Sequence, residues 1–303
     1  MHMSADLAIS LNDKRLKIYE LLKKGYSGER IAKTLGISRS AVWKFVEKLR
    51  SLGYEIDRNY NILSIPDPSP LDAALCSKKL GVERFLYFEE VDSTNNVAKK
   101  EERSCVLAKR QSAGRGRLGR KWESEKGGLY FSFEFPRKVP AVKAHRVTIL
   151  IGLVVAKTLE NFKAKIKWPN DVLIEGKKVS GILCELVGEE LSSRVIVGVG
   201  INVKNELPEE LKDKATTLKT YNVSVTDVFC SFANTFSEIV NLEWNRILEE
   251  WKRMLDTIGK EVEVRVGGEI YRGVALDVDD EGALILKCGD KIERIFSGEC
   301  FYM

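Results

Sequence analysis

The feature that most limits what this chain can fold into is a nine-residue run at 114–122, Gly-Arg-Gly-Arg-Leu-Gly-Arg-Lys-Trp. Its three glycines have the spacing of a dinucleotide-binding turn, which leads directly into a helix. Here the chain continues through Gly127 and Gly128 into residues 129–135, which alternate like a strand. Because residues 105–111 also have strand character, the run is predicted to be a long flexible loop between two strands.

The residue types of this loop predict that it binds an anion. Glycines tolerate positive φ, so the backbone can fold over a ligand. Arg115, Arg117, Arg120 and Lys121 supply donors for phosphate or carboxylate oxygens. The alternative is a solvated basic hairpin, since charge runs are usually surface features.

Composition indicates a globular protein of two or three domains, with 303 residues, 44% hydrophobic and 31% charged. No apolar run reaches the length of a membrane span, and the first residues lack the pattern of a secretory signal. We therefore expect a cytoplasmic protein.

The cysteines and histidines favour neither a disulfide framework nor a zinc site. The chain has two histidines and no C-x-x-C pair. Reduced, mostly packed thiols are therefore expected at all six cysteines, which are Cys76, Cys105, Cys184, Cys230, Cys288 and Cys300.

The net charge of +5 resides in the N-terminal fifth of the chain. Residues 1–66 hold 12 lysines and arginines against 7 acidic residues, whereas the remainder holds 37 of each. The pattern of the same segment predicts three helices, at 14–24, at 28–35 after Ser27, and at 39–52 after Ser38. This is a helix-turn-helix pattern, so a nucleic acid is the expected partner.

Helical spacing assigns the two faces of the third helix. The positions expected to pack the helices together are Ala32, Gly36, Ile37, Val42, Phe45 and Val46. Arg39, Ser40, Lys44 and Lys48 then point outward, toward a major groove and its phosphates. Residues 54–63 alternate around a turn, which predicts a winged hairpin. A three-helix interaction module is the alternative.

Three prolines within residues 66–70 predict a stiff hinge after this module. Domains are accordingly placed at 1–66, 67–257 and 258–303. A helix at 71–80 and a strand at 84–91 follow the hinge. The small polar residues at 92–96 then either cap the next helix or form the rim of a pocket, and spacing alone does not decide between the two.

Residues 144–203 are predicted to supply a helix and several strands of one sheet. An apolar helix at 144–162 precedes a strand at 165–174 that is interrupted by a turn. Lys178 enters a nearly continuous apolar strand, which suggests a chemical role for its ammonium group. A buried strand at 195–203 carries Gly198 and Gly200, which suggest close approach of backbone or ligand.

The C-terminal third predicts a helix and a small barrel. One long helix is expected from Thr226 to about Asp256, with phenylalanines recurring at helical spacing as a core stripe. Four alternating segments after Gly259, separated by glycine turns, are typical of an SH3-like barrel.

Five motifs, in this order, resemble those of the biotin protein ligases, specifically the bifunctional type that also represses the biotin operon. They lie at residues 92–95, 111–122, 167–171, 178–183 and 198–202. The resemblance spans nearly the whole chain. It implies an α+β multidomain protein: an N-terminal winged helix-turn-helix, a central α/β class II synthetase-like (biotin/lipoyl ligase) domain with a mixed sheet, and a C-terminal SH3-like β-barrel.

The resemblance also implies a two-step reaction. The biotin carboxylate attacks the α-phosphate of ATP to give biotinyl-5′-adenylate, and a lysine of a biotin carboxyl carrier protein or domain then takes the biotinyl group. Biotin would be held by Ser93, Thr94, Asn95, Gln111, Arg115, Gly116, Arg117 and Lys178. ATP or the adenylate would be held by Arg120, Trp122, Lys167, Asn170 and Asn202. Lys178, Arg117 and Asp171 would be catalytic, with Asp171 also a candidate Mg²⁺ ligand.

Leu118 stands where some relatives carry another arginine, a difference that bears on how long the adenylate is retained. As partners the resemblance implies an inverted-repeat operator DNA and a second copy of the chain, which forms a homodimer when the adenylate, as co-repressor, is bound. A biotin-sensing DNA-binding regulator without ligase activity is the alternative. A lipoate ligase is the enzymatic alternative, which the glycine-arginine loop disfavours.

Overall fold

The computed structural model describes residues 4–189 and 192–303. Residues 1–3, on which the expectation of no secretory signal partly rests, lie outside the described residues. Within the described ranges, no helix combines the length and apolar character needed to cross a membrane.

The N-terminal module is a winged helix-turn-helix, as expected. Its helices are α1 (Lys14–Lys23), α2 (Gly28–Leu35) and α3 (Arg39–Ser51), and its hairpin strands are β2 (Glu55–Ile56) and β3 (Ile62–Ser64). The Ser27 and Ser38 side chains accept hydrogen bonds from backbone N–H groups in the first turns of α2 and α3. Gly36 is exposed with φ of 61°, so it ends α2 in a left-handed conformation and does not pack the helices as expected.

One strand of the N-terminal segment belongs to the central sheet, which the sequence did not predict. Strand β1 (Leu7–Ser10) pairs antiparallel with β4 (Arg84–Phe88). Leu7 and Ile9 are buried and alternate with exposed residues. Removal of residues 1–66 would therefore remove an edge strand of the sheet together with the helix-turn-helix.

The helix-turn-helix is attached to the helix that follows the hinge, α4 (Pro70–Ser77). The Tyr19 hydroxyl donates to Asp72 Oδ2 at 2.8 Å, and Lys23 Nζ lies 2.8 Å from Asp72 Oδ1. The Tyr54 hydroxyl lies 2.9 Å from Ser69 Oγ. Burial, together with the nearby Tyr54 and Asp72, raises the pKa of Tyr19, so this phenol stays neutral and keeps its donor. These bonds connect the N-terminal module to α4 and to the hinge residue before it.

The central sheet has eight strands in the order β1-β4-β5-β6-β10-β9-β8-β7. Only β4 and β5 run parallel, so the sheet is mixed. The strands after β4 are β5 (Ser104–Ala108), β6 (Leu129–Glu134), β7 (Lys165–Lys167), β8 (Asp171–Ile174), β9 (Lys177–Glu189) and β10 (Ser192–Ile201). The glycine-arginine loop connects β5 to β6, which confirms the strand-loop-strand prediction.

Helices cover both faces of this sheet. They are α5 (Thr94–Lys100), α6 (Ala144–Thr158), α7 (Val225–Ile239) and α8 (Trp244–Met254). On β4 and β5, Leu86 and Val106 belong to a small apolar cluster with Ala98 of α5. Phe85 and Leu107 alternate with them and join the main core beneath α4, α6 and α7.

The long helix expected after Thr226 is two helices, α7 and α8, and Ser224 rather than Thr226 provides the N-cap. The chain turns between them so that each apolar stripe meets a different surface. Phe229 and Phe232 of α7 make edge-on contacts with Phe131 at 5.0 and 4.9 Å between ring centroids. Trp251 of α8 is fully buried near Gly152 of α6. Helical spacing continues across the break, which is why the sequence did not reveal it.

The C-terminal module is a five-stranded antiparallel sheet in the order β14-β13-β12-β11-β15. Its strands are β11 (Glu261–Val266), β12 (Glu269–Val278), β13 (Leu284–Cys288), β14 (Lys291–Ile295) and β15 (Glu299–Tyr302). Strands β14 and β15 are its two edges, so the strand pairing does not close a barrel. The fifth strand, β15, was not predicted, and it is the one nearest the site described below.

The expectation of six reduced thiols is wrong for two of them. Cys76 of α4 and Cys230 of α7 form a disulfide, with a Cα–Cα distance of 5.3 Å across 154 residues of sequence. Packing of α4 on α7 brings them together, and no local pattern encodes that contact. The free thiols in the described residues are Cys105, Cys184, Cys288 and Cys300.

Candidate active site

A cavity of about 190 Å³ opens beneath the glycine-arginine loop. Its walls come from the start of α5, the turn between β7 and β8, strands β9 and β10, and residues 298–301 of the C-terminal module. The predicted site residues that line it are Ser93, Thr94, Asn95, Gln111, Arg115, Gly116, Arg117, Arg120, Trp122, Lys167, Asn170, Asp171 and Lys178.

Asn202 is the one predicted ligand residue that the structure does not bring to this cavity. It is buried, and its side-chain oxygen accepts a hydrogen bond from Asn205 at 3.2 Å. Its backbone N–H donates to Val179 at 2.8 Å. In this arrangement Asn202 supports the wall behind Lys178, and contact with adenine is left as a prediction.

The turn between β7 and β8 is fixed at both ends. Trp168 is buried, its backbone N–H donates to Thr257 at 2.9 Å and its indole N–H donates to Gly282 at 3.2 Å. A cis bond joins it to Pro169. The next residue, Asn170, donates to the backbone oxygen of Ile182 at 2.9 Å. The turn is therefore positioned by both the sheet and the C-terminal module.

Lys178 and Asp171 form an ion pair in the cavity, with 2.7 Å between Nζ and Oδ1. They lie on adjacent strands, because Asp171 begins β8 and Lys178 follows the first residue of β9. The Lys178 backbone also bonds to residues 214 and 216, which secures the strand mouth. The ammonium is held in place and still borders the cavity, with 35% of the side chain exposed.

Three of the four cations in the glycine-arginine loop have a partner on another element, and the fourth pairs within the loop. Arg117 donates to Asn170 Oδ1 at 3.0 Å. Arg115 pairs with Glu185 of β9, Arg120 with Glu299 of β15, and Lys121 with Glu123 of the loop itself. The loop therefore lies closed over the cavity, held by contacts to the sheet and to the C-terminal module.

Burial lowers the pKa of two cations that face the cavity, Arg117 and Lys167. The pKa of Arg117 is lowered by burial, which the nearby Asp171 and Glu299 partly offset. Burial also lowers the pKa of Lys167, whose Nζ lies 4.5 Å from the Tyr302 ring centroid. Desolvated cations gain more from a bound anion than exposed ones do. The cavity thus favours a ligand that carries negative charge.

Two glycines, Gly200 and Gly181, make room for the Trp122 indole, and only Gly200 was expected from the sequence to allow a close approach. A Cβ at Gly200 would lie 2.5 Å from Trp122 Nε1, and one at Gly181 would lie 3.0 Å from the same ring system. The Trp122 Nε1 is buried without a hydrogen-bond partner. An unpaired buried donor in a cavity offers a bond to a ligand acceptor.

A hydrogen-bond chain fixes the polar end of the cavity. The Thr94 N–H donates to Gln111 Oε1 at 2.8 Å, and Gln111 Nε2 donates to Ser124 Oγ at 2.9 Å. Ser132 Oγ and Thr94 Oγ1 are hydrogen-bonded at 2.7 Å. Ser93 does not make a side-chain cap bond for α5, so the pocket-rim interpretation of residues 92–96 is favoured there.

Sequence reasoning missed two carboxylates that hold the loop, Glu185 and Glu299. Glu185 interrupts an apolar run on β9, and this break in the pattern was a usable signal. Glu299 lies on the unpredicted strand β15 and had no such signal. Sequence reasoning also did not single out Trp43, a residue that is 51% exposed on α3 between Ser40 and Lys44.

The predicted DNA-contacting residues share one exposed surface. Arg39, Ser40, Lys44 and Lys48 are all exposed on α3, whereas Val42 and Val46 are buried. This separation is what a recognition helix requires, because cations and hydroxyls must reach phosphates and base edges.

Three family models match this chain in succession. They are the HTH domain over residues 14–61, the biotin/lipoate A/B protein ligase family over 87–202, and the biotin protein ligase C terminal domain over 257–303.

Relatives match over nearly the full length. The bifunctional ligase/repressor BirA of Bacillus subtilis is 33% identical, covering 90% of this chain and 92% of its own. The protein of the same name from Escherichia coli is 28% identical, covering 95% and 97%. The solved biotin protein ligase from Aquifex aeolicus, in complex with biotin and ATP, is 30% identical with a TM-score of 0.60 and covers 72% of this chain and 98% of its own. With this identity, coverage and order of modules, the chain belongs to the biotin protein ligase family, in its bifunctional ligase/repressor branch.

Proposed function

We propose that this protein is an ATP-dependent biotin protein ligase that also binds DNA as a biotin-responsive repressor. The observation that carries the ligase function is the convergence of Lys178, Asp171 and Arg117 under a closed glycine-arginine loop. A sensor without ligase activity would not need a paired lysine and a partly buried arginine at this point. The chemistry that needs them is the approach of a carboxylate to a triphosphate.

In the first step a biotin carboxylate oxygen attacks the α-phosphorus of ATP and pyrophosphate leaves. Like charges must approach each other, so Lys178 and Arg117 neutralise the carboxylate and the α-phosphate and hold them in line. Lys167 also lines the cavity and is proposed as a further cation for the phosphates. In the second step a carrier lysine amine attacks the acyl carbon, forming an amide while AMP leaves.

The polar end of the cavity is proposed to hold the biotin ureido ring. Ser93, Thr94, Gln111 and the loop backbone near Gly116 line it, and the hydrogen-bond chain described above fixes their orientation. Trp122 is proposed to cover adenine with its indole ring, which lines the cavity over Gly181 and Gly200. Asn170 and Arg120 also line the cavity and are proposed to contact the nucleotide.

Magnesium is proposed to enter with ATP. Among the described residues, no cluster of three or more acid, histidine or cysteine side chains could hold a metal alone. Mg²⁺ commonly binds through one or two carboxylates, substrate phosphates and water, which fits a single carboxylate at Asp171. The ion would add positive charge at the phosphates, and Lys178 keeps Asp171 oriented toward the cavity.

Biotin-dependent exchange of labelled pyrophosphate into ATP tests the first step. Exchange that requires biotin is the expected result, since adenylate formation is reversible in the enzyme. Absence of exchange with intact, folded protein would contradict the ligase proposal.

DNA binding is proposed to use α3 of two copies on an inverted repeat, because paired half-sites bind far more tightly than one.

Beyond Gly181, no described strand pairs with the outer edge of β9. This free edge lies beside the adenylate cavity, so it is the proposed dimer surface, favoured when the adenylate is bound. Titration of an inverted-repeat duplex should show tighter, salt-sensitive binding with biotin and ATP present. Equal affinity with and without them would contradict the coupling.

Three further assignments are proposed. The acceptor is a biotin carboxyl carrier protein or domain. The C-terminal sheet is an SH3-like, partly open barrel, because an irregularity in β12 between Ala275 and Asp277 bends a strand that pairs on both sides. The protein acts in the cytoplasm with its ATP, carrier and DNA. A disulfide such as Cys76–Cys230 is unusual in the cytoplasm outside hyperthermophiles. Alkylation of thiols in intact cells would show whether these two cysteines are bridged where the protein acts.

A further inference from the structure

Glu185 is the point at which three structural elements meet beside the cavity. Its Oε1 accepts from Lys99 Nζ of α5 at 2.7 Å. Its Oε2 accepts from Asn95 Nδ2 at 2.7 Å, and Arg115 NH2 of the glycine-arginine loop contacts both oxygens at 2.9 and 3.2 Å. One carboxylate thus joins α5 and the loop to β9.

The environment of Glu185 keeps it ionised. Burial by itself raises its pKa, but donors from Lys99 and Asn95 and the charge of Arg115 outweigh burial, so the pKa lies below its usual range. Solvent screens Glu185 less than it screens Arg115, because 21% of the Glu185 side chain is exposed against 38% of the Arg115 side chain. The carboxylate is therefore a permanent acceptor at neutral pH.

Glu185 does not line the cavity, whereas two of its partners do. Asn95 is 4% exposed, and its Oδ1 accepts from Ser132 Oγ, which also lies 2.7 Å from Thr94 Oγ1. A Cβ at Gly198 would lie 2.1 Å from Asn95 Oδ1, so the glycine leaves space for this amide. Glu185 therefore determines which way the Asn95 amide faces.

We propose that Glu185 is a positioning residue for biotin, which acts through Asn95 and Arg115 to hold the ureido end of the cavity in its binding geometry. The proposal rests on the proposed ligase function. Its effect is confined to the polar end, because the ATP-facing groups Lys178 and Asn170 are held by other partners. Loss of the carboxylate should therefore raise KM for biotin without raising KM for ATP.

The test is Glu185→Gln, which keeps the size of the side chain and removes its charge. We expect KM for biotin to rise about tenfold, the loss typical of a weakened charged hydrogen bond. KM for ATP, and kcat at saturating biotin, should stay within about twofold, the signature of lost binding rather than lost chemistry. Glu123→Gln is the matched control, since Glu123 pairs with Lys121 of the same loop at 2.8 Å and should leave both constants unchanged.

A double-mutant cycle with Arg115→Ala distinguishes positioning from a general structural role. If Glu185 acts through Arg115, the two substitutions together should raise KM for biotin less than the product of their separate effects. Arg115→Ala affects an exposed side chain, so it should fold even if Glu185→Gln does not, and alone it must raise KM for biotin.

Several results would overturn the proposal. They are an unchanged KM for biotin in Glu185→Gln or Arg115→Ala, a parallel rise in both KM values, or multiplicative effects in the double variant. Each requires an active wild-type enzyme, so an inactive wild type refutes the ligase function instead.

Discussion

Replacement of Lys178 by alanine should slow adenylate formation. Its Nζ lies 2.7 Å from Asp171 Oδ1 and borders the cavity beside Arg117. Loss of one donor to a developing oxyanion typically costs roughly 3–4 kcal/mol, or 10²–10³ in rate. Because 35% of the Lys178 side chain is exposed, solvent screening places the expected loss near the lower figure, about 10².

A second effect acts in the same direction. Without Lys178 the Asp171 carboxylate is left unpaired and faces the incoming phosphates. Two unit charges about 4 Å apart interact by roughly 4 kcal/mol at an effective dielectric of about 20. Water entering the space left by the lysine screens that repulsion. The expected loss in rate therefore stays near 10².

The assay is single-turnover formation of biotinyl-adenylate from labelled ATP at saturating biotin, with rapid quenching. Lys177→Ala is the control, because it removes the same charge one residue away, where Lys177 Nζ donates to the backbone of Lys212 at 2.8 Å. The control should retain the wild-type rate. A Lys178→Ala rate within twofold of wild type would refute the role assigned to this ammonium group.

Three further predictions address the loop, the disulfide and the DNA face. Arg117→Gly should weaken retention of biotin and adenylate together and increase labelling of unrelated proteins, and wild-type levels of both would show that the loop is not a gate. Cys76→Ser should lower the free energy of unfolding by up to about 5 kcal/mol, the chain-entropy value for a 154-residue separation. The variant should have a lower Tm than the wild type, and reductant should no longer change that Tm. An unchanged Tm would contradict this prediction. Arg39→Ala and Lys44→Ala should weaken DNA binding, with Arg39→Ala also altering sequence preference. Unaltered binding isotherms for both variants would remove α3 from the interface.

Local signals predicted much of the fold. Ser27 and Ser38 identified helix starts because a capping hydroxyl satisfies N–H groups within a few residues. Alternation identified the strands on either side of the glycine-arginine loop. The cavity-lining residues were predicted by the resemblance of five motifs, since no spacing rule places residues 93 and 178 together.

The features that the sequence did not reveal depend on contacts between distant residues. Strand β1 lies in the sheet because Leu7 pairs opposite Tyr87, 80 residues later. The Cys76–Cys230 bridge and the Glu185–Arg115 pair likewise join separate elements. Such contacts are set by packing of whole layers, and periodicity reports only which side of an element is buried.

The most direct test of the central claim is the intact mass of a biotin carboxyl carrier domain after incubation with this protein, ATP and biotin. The ligase function predicts a gain of one biotinyl group that requires all three components. The gain should be absent when the acceptor lysine of the carrier is replaced by arginine. A carrier that stays unmodified with folded protein and saturating substrates would contradict the account.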